Sequence, residues 1–205
     1  MEVQISNGND DVEETQIDGF LTIDSTDLEL GAADFFDFMS TPSTYGFYDI
    51  FDMMSGYSFL DDMSTAQKVG LRFQNIQIPQ GATITSAYLE FTTDETDSQE
   101  TIVTIYGEDS DDAAPFDAWG FYDLSSRPLT DASVEWNIPA WTQVGEQQQS
   151  PDIKSIVQEI VNRSGWSAGA SMVFTIDGSG RRVAKSYEGE ATAAPLLHIT
   201  YTSTR

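Results

Sequence analysis

The clearest constraint on the fold is a series of short runs in which apolar and polar residues alternate, from residue 67 to the C-terminus. Val69, Leu71 and Phe73 form one such run, and Pro79-Gln80-Gly81 supplies a turn soon after it. Alternation at period two is the pattern of a half-buried strand, and short strands separated by Gly, Pro and Asp turns are typical of a β-sandwich. Further runs of this kind are Ile84–Phe91, Ile102–Tyr106, Val134–Ile138, Met172–Ile176 and Leu196–Tyr201. The sequence therefore predicts an all-β fold, an antiparallel β-sandwich.

One amphipathic helix is predicted among these strands, at about residues 150–163. Ser150 suits a helix N-cap, and Pro151 suits the first helical position. Apolar residues then follow at the spacing of one helical face: Ile153, Ile156, Val157, Ile160 and Val161. We expect this face to be buried against an end or edge of the sandwich.

The distribution of charge excludes several classes of partner. No Lys or Arg occurs before Lys68, whereas 15 Asp and Glu do, and the net charge of the chain is -25. Nucleic acids and anionic membranes require basic patches, so neither is expected as a partner. No run approaches the 18 or so apolar residues of a membrane span, and the first residues lack a signal-peptide pattern, so a secreted form is expected to have lost its leader.

Residues 31–66 interrupt the pattern of strands and differ from the rest of the chain in composition. They hold four of the six methionines and a dense set of aromatic residues interleaved with aspartates. The aromatic residues are Phe35, Phe36, Phe38, Tyr45, Phe47, Tyr48, Phe51, Tyr57 and Phe59. Such a surface is typical of interaction sites, so the segment predicts self-association with other copies. The alternative is an insertion that folds back and enlarges the core of its own domain.

Several short pieces of the chain occur in an order found in one group of domains. They include Val69-Gly70-Leu71-Arg72-Phe73, Ile78-Pro79-Gln80-Gly81-Ala82-Thr83-Ile84, Ser186-Tyr187-Glu188-Gly189 and Ala194-Pro195-Leu196-Leu197-His198-Ile199-Thr200-Tyr201. Over roughly residues 10–30 and 67–201, the chain resembles the DNRLRE-like, carbohydrate-binding-module-like domains of large secreted bacterial proteins. The resemblance implies a jelly-roll sandwich, extracellular placement and a module without catalytic activity of its own. Residues 31–66 depart from it, because only a short connection is expected there.

Acidic residues around the first strands could gather a calcium ion. Ca²⁺ takes six to eight oxygen ligands, which requires several carboxylates from neighbouring strands or loops. The candidate ligands are Asp11, Glu13, Glu14, Asp27 and Glu29, with Asp94, Glu95 and Glu188 as completing ligands. The resemblance also implies a structural Ca²⁺ where the N-terminal segment meets the last strand. The alternative is that these acids are solvated surface groups.

Exposed aromatic rings are the feature that would bind a sugar, because pyranose faces stack on them. Trp119, Phe121 and Tyr122 lie in a Gly-containing loop and are the candidates for carbohydrate binding. The other tryptophans, Trp136, Trp141 and Trp166, are expected in the core.

Catalysis is not expected. The only histidine, His198, lies in an apolar strand and suits a structural role. No serine elbow, phosphate loop or zinc motif is present in the sequence.

The sequence thus predicts a single β-sandwich domain over residues 1–205, of jelly-roll type, with an aromatic and acidic insertion at 31–66. The leading hypothesis is a non-catalytic extracellular or cell-surface module, stabilised by Ca²⁺, that self-associates in a structural or adhesive assembly such as a filament or matrix. The alternative is a carbohydrate-binding module of a secreted protein that acts on or adheres to polysaccharide.

Overall fold

The computed structural model describes residues 1–16, 18–31 and 67–203. Strands and two short α-helices make up half of these ranges. In chain order they are β1 Glu2–Gln4, β2 Asp11–Thr15, β3 Leu21–Thr22, β4 Asp27–Leu30, β5 Gln67–Phe73, β6 Thr83–Thr92, β7 Thr101–Glu108, β8 Leu129–Ile138, β9 Gln147–Gln149, α1 Lys154–Asn162, β10 Met172–Ser179, β11 Arg182–Lys185, α2 Tyr187–Glu190, a 3₁₀ turn Ala191–Ala193 and β12 Leu196–Thr202. The predicted all-β class is confirmed.

The strands form two large antiparallel sheets and one small one. The four-stranded sheet has the order β1-β12-β6-β9, and the six-stranded sheet has the order β3-β2-β5-β10-β7-β8. Strands β4 and β11 pair separately. The arrangement agrees with the predicted sandwich, and jelly-roll connectivity remains an expectation of the resemblance.

The main core lies between the two large sheets. Phe91 of the four-stranded sheet stacks on Trp136 of the six-stranded sheet, with ring centroids 5.9 Å apart. Alternate residues of β5, β6, β7, β10 and β12 supply most of the remaining apolar side chains. Trp141 and Trp166 are buried together with Trp136, so the prediction that these three tryptophans lie in the core is confirmed.

Helix α1 begins four residues later than predicted but buries the predicted face. Its buried residues are Ile156, Val157, Ile160 and Val161. Ser150 does not cap the helix, because its Oγ accepts a hydrogen bond from the backbone N–H of Leu89 at 3.0 Å. Asp152 likewise accepts from the N–H of Ala87 at 3.0 Å. The residues read as a helix start therefore run beside β6 and satisfy its backbone donors.

A second, smaller core covers the outer face of the six-stranded sheet. Ala113, Phe116 and Leu124, from the long connection between β7 and β8, pack there against side chains of β2, β3 and β10. We call residues 109–128 the covering loop. No helix among the described residues is long and apolar enough to cross a membrane.

Candidate functional site

The covering loop is fixed to the sheet by a buried carboxylate. Glu14 of β2 accepts hydrogen bonds from the backbone N–H groups of Leu124, at 2.7 Å, and Ser125, at 3.1 Å. Glu14 was predicted as a calcium ligand, but its carboxylate accepts hydrogen bonds from the loop backbone instead. These bonds hold the second half of the loop over β2.

Arg127 ties the first half of the loop to the second. Its guanidinium donates to Glu108 and Asp123, each at 2.8 Å, and to the carbonyls of Ala114, at 2.9 Å, and Pro115, at 3.0 Å. Such charge-assisted bonds are among the stronger hydrogen bonds in proteins. The loop therefore has a defined shape although it contains no strand or helix.

The turn between β2 and β3 joins the tip of this loop. Gly19 has φ +70°, a conformation that most residues avoid, and its carbonyl accepts from the N–H of Tyr122 at 2.7 Å. The Tyr122 ring lies so close to Gly19 that a Cβ atom there would overlap it. Tyr122 itself has φ 59°, in the left-handed region. The turn and the loop thus form one unit.

Aromatic side chains project into solvent from this unit. Trp119 is 91% exposed, Phe121 is 68% exposed and Phe20, from the turn, is 50% exposed. The rings of Phe20 and Phe121 lie 6.4 Å apart at 61° to each other. A shallow depression of about 40 Å³ is bordered by Phe20, Trp119 and Phe121 together with Leu21, Ala118 and Gly120. We call Phe20, Trp119, Phe121 and Tyr122 the aromatic platform.

Three of the four platform residues were predicted from the sequence, and Phe20 was not. The chain turns at Gly19, which leaves Phe20 outside and buries Leu21. Glycine before an apolar run is the signal that could have indicated this turn.

The candidate calcium ligands of β2 point in two directions. Asp11 pairs with Leu71, and Glu13 pairs with Val69. Directly opposed residues of an antiparallel pair share a face, so Asp11 and Glu13 point into the sandwich with Leu71 and Val69. Glu14 points to the outer face.

Asp11 is the more unusual of the two inward carboxylates. It is 3% exposed, its Oδ2 accepts from the N–H of Tyr187 at 2.7 Å, and its Oδ1 is buried with no partner among the described residues. Burial raises the pKa of Asp11 to about 7, and the nearby Glu188 contributes. The Glu188 carboxylate lies against Gly8, where a Cβ atom would overlap it. Burial and the charge of Asp24 also raise the pKa of Glu188. Asp24 was not among the calcium ligands predicted from the sequence.

Glu13 lies farther along the same face and faces β4. It accepts from the N–H of Glu29 at 2.6 Å and from Gln67 Nε2 at 3.0 Å. Burial, followed by the neighbouring charges of Glu29 and Asp27, raises the pKa of Glu13 to about 7. Gln67 Nε2 also donates to Glu29 at 2.7 Å.

The remaining candidate ligands form ion pairs or lie nearby. Arg181 pairs with Glu29 at 3.2 Å and with Glu95 at 2.8 Å. Lys185 Nζ pairs with Asp94 at 3.0 Å. The structure thus brings Asp11 and Glu188 together, and Glu13, Asp27 and Glu29 together, as two separate groups.

No three Asp, Glu, His or Cys side chains converge as a ready metal-ligand set in the described ranges. The observation that fits a cation is the unpartnered Oδ1 of Asp11 beside a second carboxylate, because oxygen donors of this kind are what Ca²⁺ prefers.

The histidine lies on the outer face of the four-stranded sheet. His198 stacks on Tyr88 with ring centroids 4.5 Å apart, and its Nδ1 lies 3.4 Å from Glu2 Oε1. A polar depression of about 180 Å³ borders these residues.

The predicted self-association residues, Phe35 to Phe59, lie outside the described residues. No protein-family model matches this chain, and no curated protein matches it.

Proposed function

We propose that this chain is a non-catalytic, extracellular β-sandwich module that binds a carbohydrate chain on the aromatic platform. The observation that carries the proposal is the 91% exposure of Trp119 beside two further exposed rings. Large apolar rings left in water at one place commonly mark a binding site. Pyranose rings present apolar faces that stack on such side chains.

The fixed shape of the covering loop supports the same proposal. A loop ordered before binding loses less conformational entropy when the ligand arrives. Glu14 and Arg127 supply that order from beneath, while the rings remain on the outside. The ordered loop and its exposed rings together form a preorganised binding surface.

Replacing Trp119 or Phe121 with alanine is expected to weaken binding of a responding polysaccharide about 5- to 30-fold, because loss of a stacking ring costs about 1–2 kcal/mol. Polysaccharide-array binding followed by titration of the responding glycan measures this. The melting temperature is expected to stay within about 2 °C, since exposed substitutions rarely change stability by more than 0.5 kcal/mol.

Val144→Ala is the matched control, because Val144 is also an exposed apolar residue but lies in a different turn. Its binding is expected to equal that of the parent chain. Binding that survives in both ring variants, or no binding to any glycan, would rule out the platform as a carbohydrate site.

We further propose that Ca²⁺ binds at Asp11 and Glu188, with Asp24 nearby. The unpartnered Oδ1 of Asp11 supports this assignment. A bound cation would supply the positive charge that Asp11 and Glu188 lack and would stabilise the meeting point of β2 and α2.

A second proposed function is self-association in a surface or matrix assembly. The observation that favours it is the density of aromatic residues and methionines in residues 31–66. Sedimentation velocity at high protein concentration with millimolar Ca²⁺ tests it, and a monomer under every condition would contradict it.

A further inference from the structure

The aromatic platform is bordered by two carboxylates, those of Asp18 and Asp117. Asp18 Oδ1 accepts from the N–H of Phe20 at 3.0 Å and from the hydroxyl of Thr15. Asp117 Oδ1 accepts from the N–H of Trp119 at 3.1 Å. Each carboxylate is therefore fixed to the backbone of a residue that carries a platform ring.

Both carboxylates face solvent. The hydrogen bond from Thr15, followed by that from Phe20, lowers the pKa of Asp18. Neither Asp18 nor Asp117 forms an ion pair with any residue in the described part of the chain. The one arginine of the covering loop, Arg127, pairs with Glu108 and Asp123.

The border of the platform is therefore negative, within a chain whose net charge is -25. A glycan built of uronic acids or sulfated sugars would bring its anions against these carboxylates, which opposes binding. A glycan with ammonium groups would gain attraction from them, and an ammonium also binds favourably over a tryptophan ring. Charge complementarity thus selects among the sugar classes that could stack on the rings.

We propose that the ligand of the platform is a chain of glucosamine units with free amino groups, which stacks on Trp119 and Phe121 and pairs its ammonium groups with Asp18 and Asp117. This inference rests on the proposed carbohydrate-binding function. It defines the substrate class as a de-N-acetylated amino-sugar polymer.

Titration calorimetry at pH 6 and low salt, with the whole chain, tests the inference against three oligosaccharides of equal length. These are a β-1,4-linked glucosamine hexamer, the N-acetylglucosamine hexamer and a hexamer of uronic acid. The glucosamine hexamer is expected to bind about tenfold more tightly than the N-acetylated one, and the uronic acid hexamer more weakly than both. The preference should shrink in 0.5 M NaCl, because exposed charges are screened over less than 10 Å there.

The Asp18→Asn/Asp117→Asn double variant is expected to abolish that preference while leaving binding of the N-acetylated hexamer unchanged. Asparagine keeps the oxygen that accepts from Phe20 and Trp119, so the loop keeps its shape. Glu100→Gln/Glu146→Gln is the matched control, because it removes two exposed charges elsewhere and separates local pairing from attraction to the whole acidic chain.

Distinct outcomes overturn the inference and the function beneath it. Equal affinity for the acetylated and free hexamers, or an equal loss in the Glu100/Glu146 control, would overturn the amino-sugar assignment and leave carbohydrate binding in place. An oligolysine of equal charge that binds as tightly and depends equally on Trp119 would assign the site to a cationic peptide. Absence of Trp119-dependent binding to these hexamers and to every glycan of the array would overturn the proposed function itself.

Discussion

Replacing Arg182 with methionine is expected to lower the free energy of unfolding by about 3–5 kcal/mol. The change removes a buried guanidinium that donates hydrogen bonds to a hydroxyl and to several main-chain carbonyls. Arg182 is 1% exposed although it is an arginine. Its guanidinium donates to Thr101 Oγ1 and to main-chain carbonyls of three segments. The carbonyl acceptors are Pro139 at 2.9 Å, Arg181 at 2.6 Å, Gln99 at 2.7 Å and Ile138 at 3.2 Å.

The acceptors explain the size of the expected loss. The Thr101 hydroxyl also reaches the carbonyls of Gln99 and Arg181, each at 3.2 Å, but methionine supplies no donor to replace those of the guanidinium. Arg182 thereby fastens β11 to the ends of β7 and β8. Burial lowers its pKa, and the neighbouring Asp97 opposes that effect. Urea denaturation followed by fluorescence of the buried tryptophans measures the change.

Arg181→Met is the matched control for this experiment. Arg181 is the adjacent residue with the same chemistry, but its side chain is 30% exposed and its partners Glu29 and Glu95 are also reached by water. Exposed ion pairs contribute about 0–1 kcal/mol, so a loss of that size is expected. Equal losses in the two variants would contradict the assignment of a structural role to the buried acceptors.

The strands and the buried face of α1 could be predicted because local periodicity determines them. Val69, Leu71 and Phe73 face the core at period two, and Ile156, Val157 and Ile160 do so at helical spacing. Each pattern indicates which residues share a face, and it depends only on residues within one segment.

Other features could not be predicted because distant residues decide them. Alternation in Asp11-Val12-Glu13-Glu14 places Asp11 and Glu13 on one face, but both faces of β2 are buried. The covering loop, about 100 residues later, takes the face with Val12 and Glu14. Ser150 has the chemistry of a helix cap, but its hydroxyl oxygen accepts a hydrogen bond from the N–H of Leu89 instead.

In the absence of metal, stability is expected to fall as the pH rises from about 5 to 8. Asp11 and Glu13 have ordinary pKa values of 3.8 and 4.5 and folded values of about 7 each. A raised pKa means that the folded state favours the protonated form, so this stability is present below pH 4 and is lost as the pH passes through 7. Each carboxyl contributes on the order of 3 kcal/mol to the fall. Urea denaturation in EDTA at a series of pH values measures it.

Calcium is expected to reverse this dependence. A cation that binds the ionised carboxylate of Asp11 stabilises only the folded state, and it competes with the proton. Millimolar Ca²⁺ should therefore raise the melting temperature more at pH 8 than at pH 5. A melting temperature unchanged by Ca²⁺ or EDTA at both pH values would contradict the proposed calcium site while leaving the proton linkage intact.

Asp11→Asn separates the proton and calcium effects. The variant is expected to lose the response to Ca²⁺ and about half of the pH dependence, because Glu13 retains its own raised pKa. Asp131→Asn is the control, since Asp131 is exposed on β8 and far along the chain from β2. This control should change neither the response to Ca²⁺ nor the pH dependence of stability. If stability in EDTA instead rises between pH 5 and 8, the inward carboxylates are stabilised in their charged form, and the cation at Asp11 is no longer needed to account for their burial.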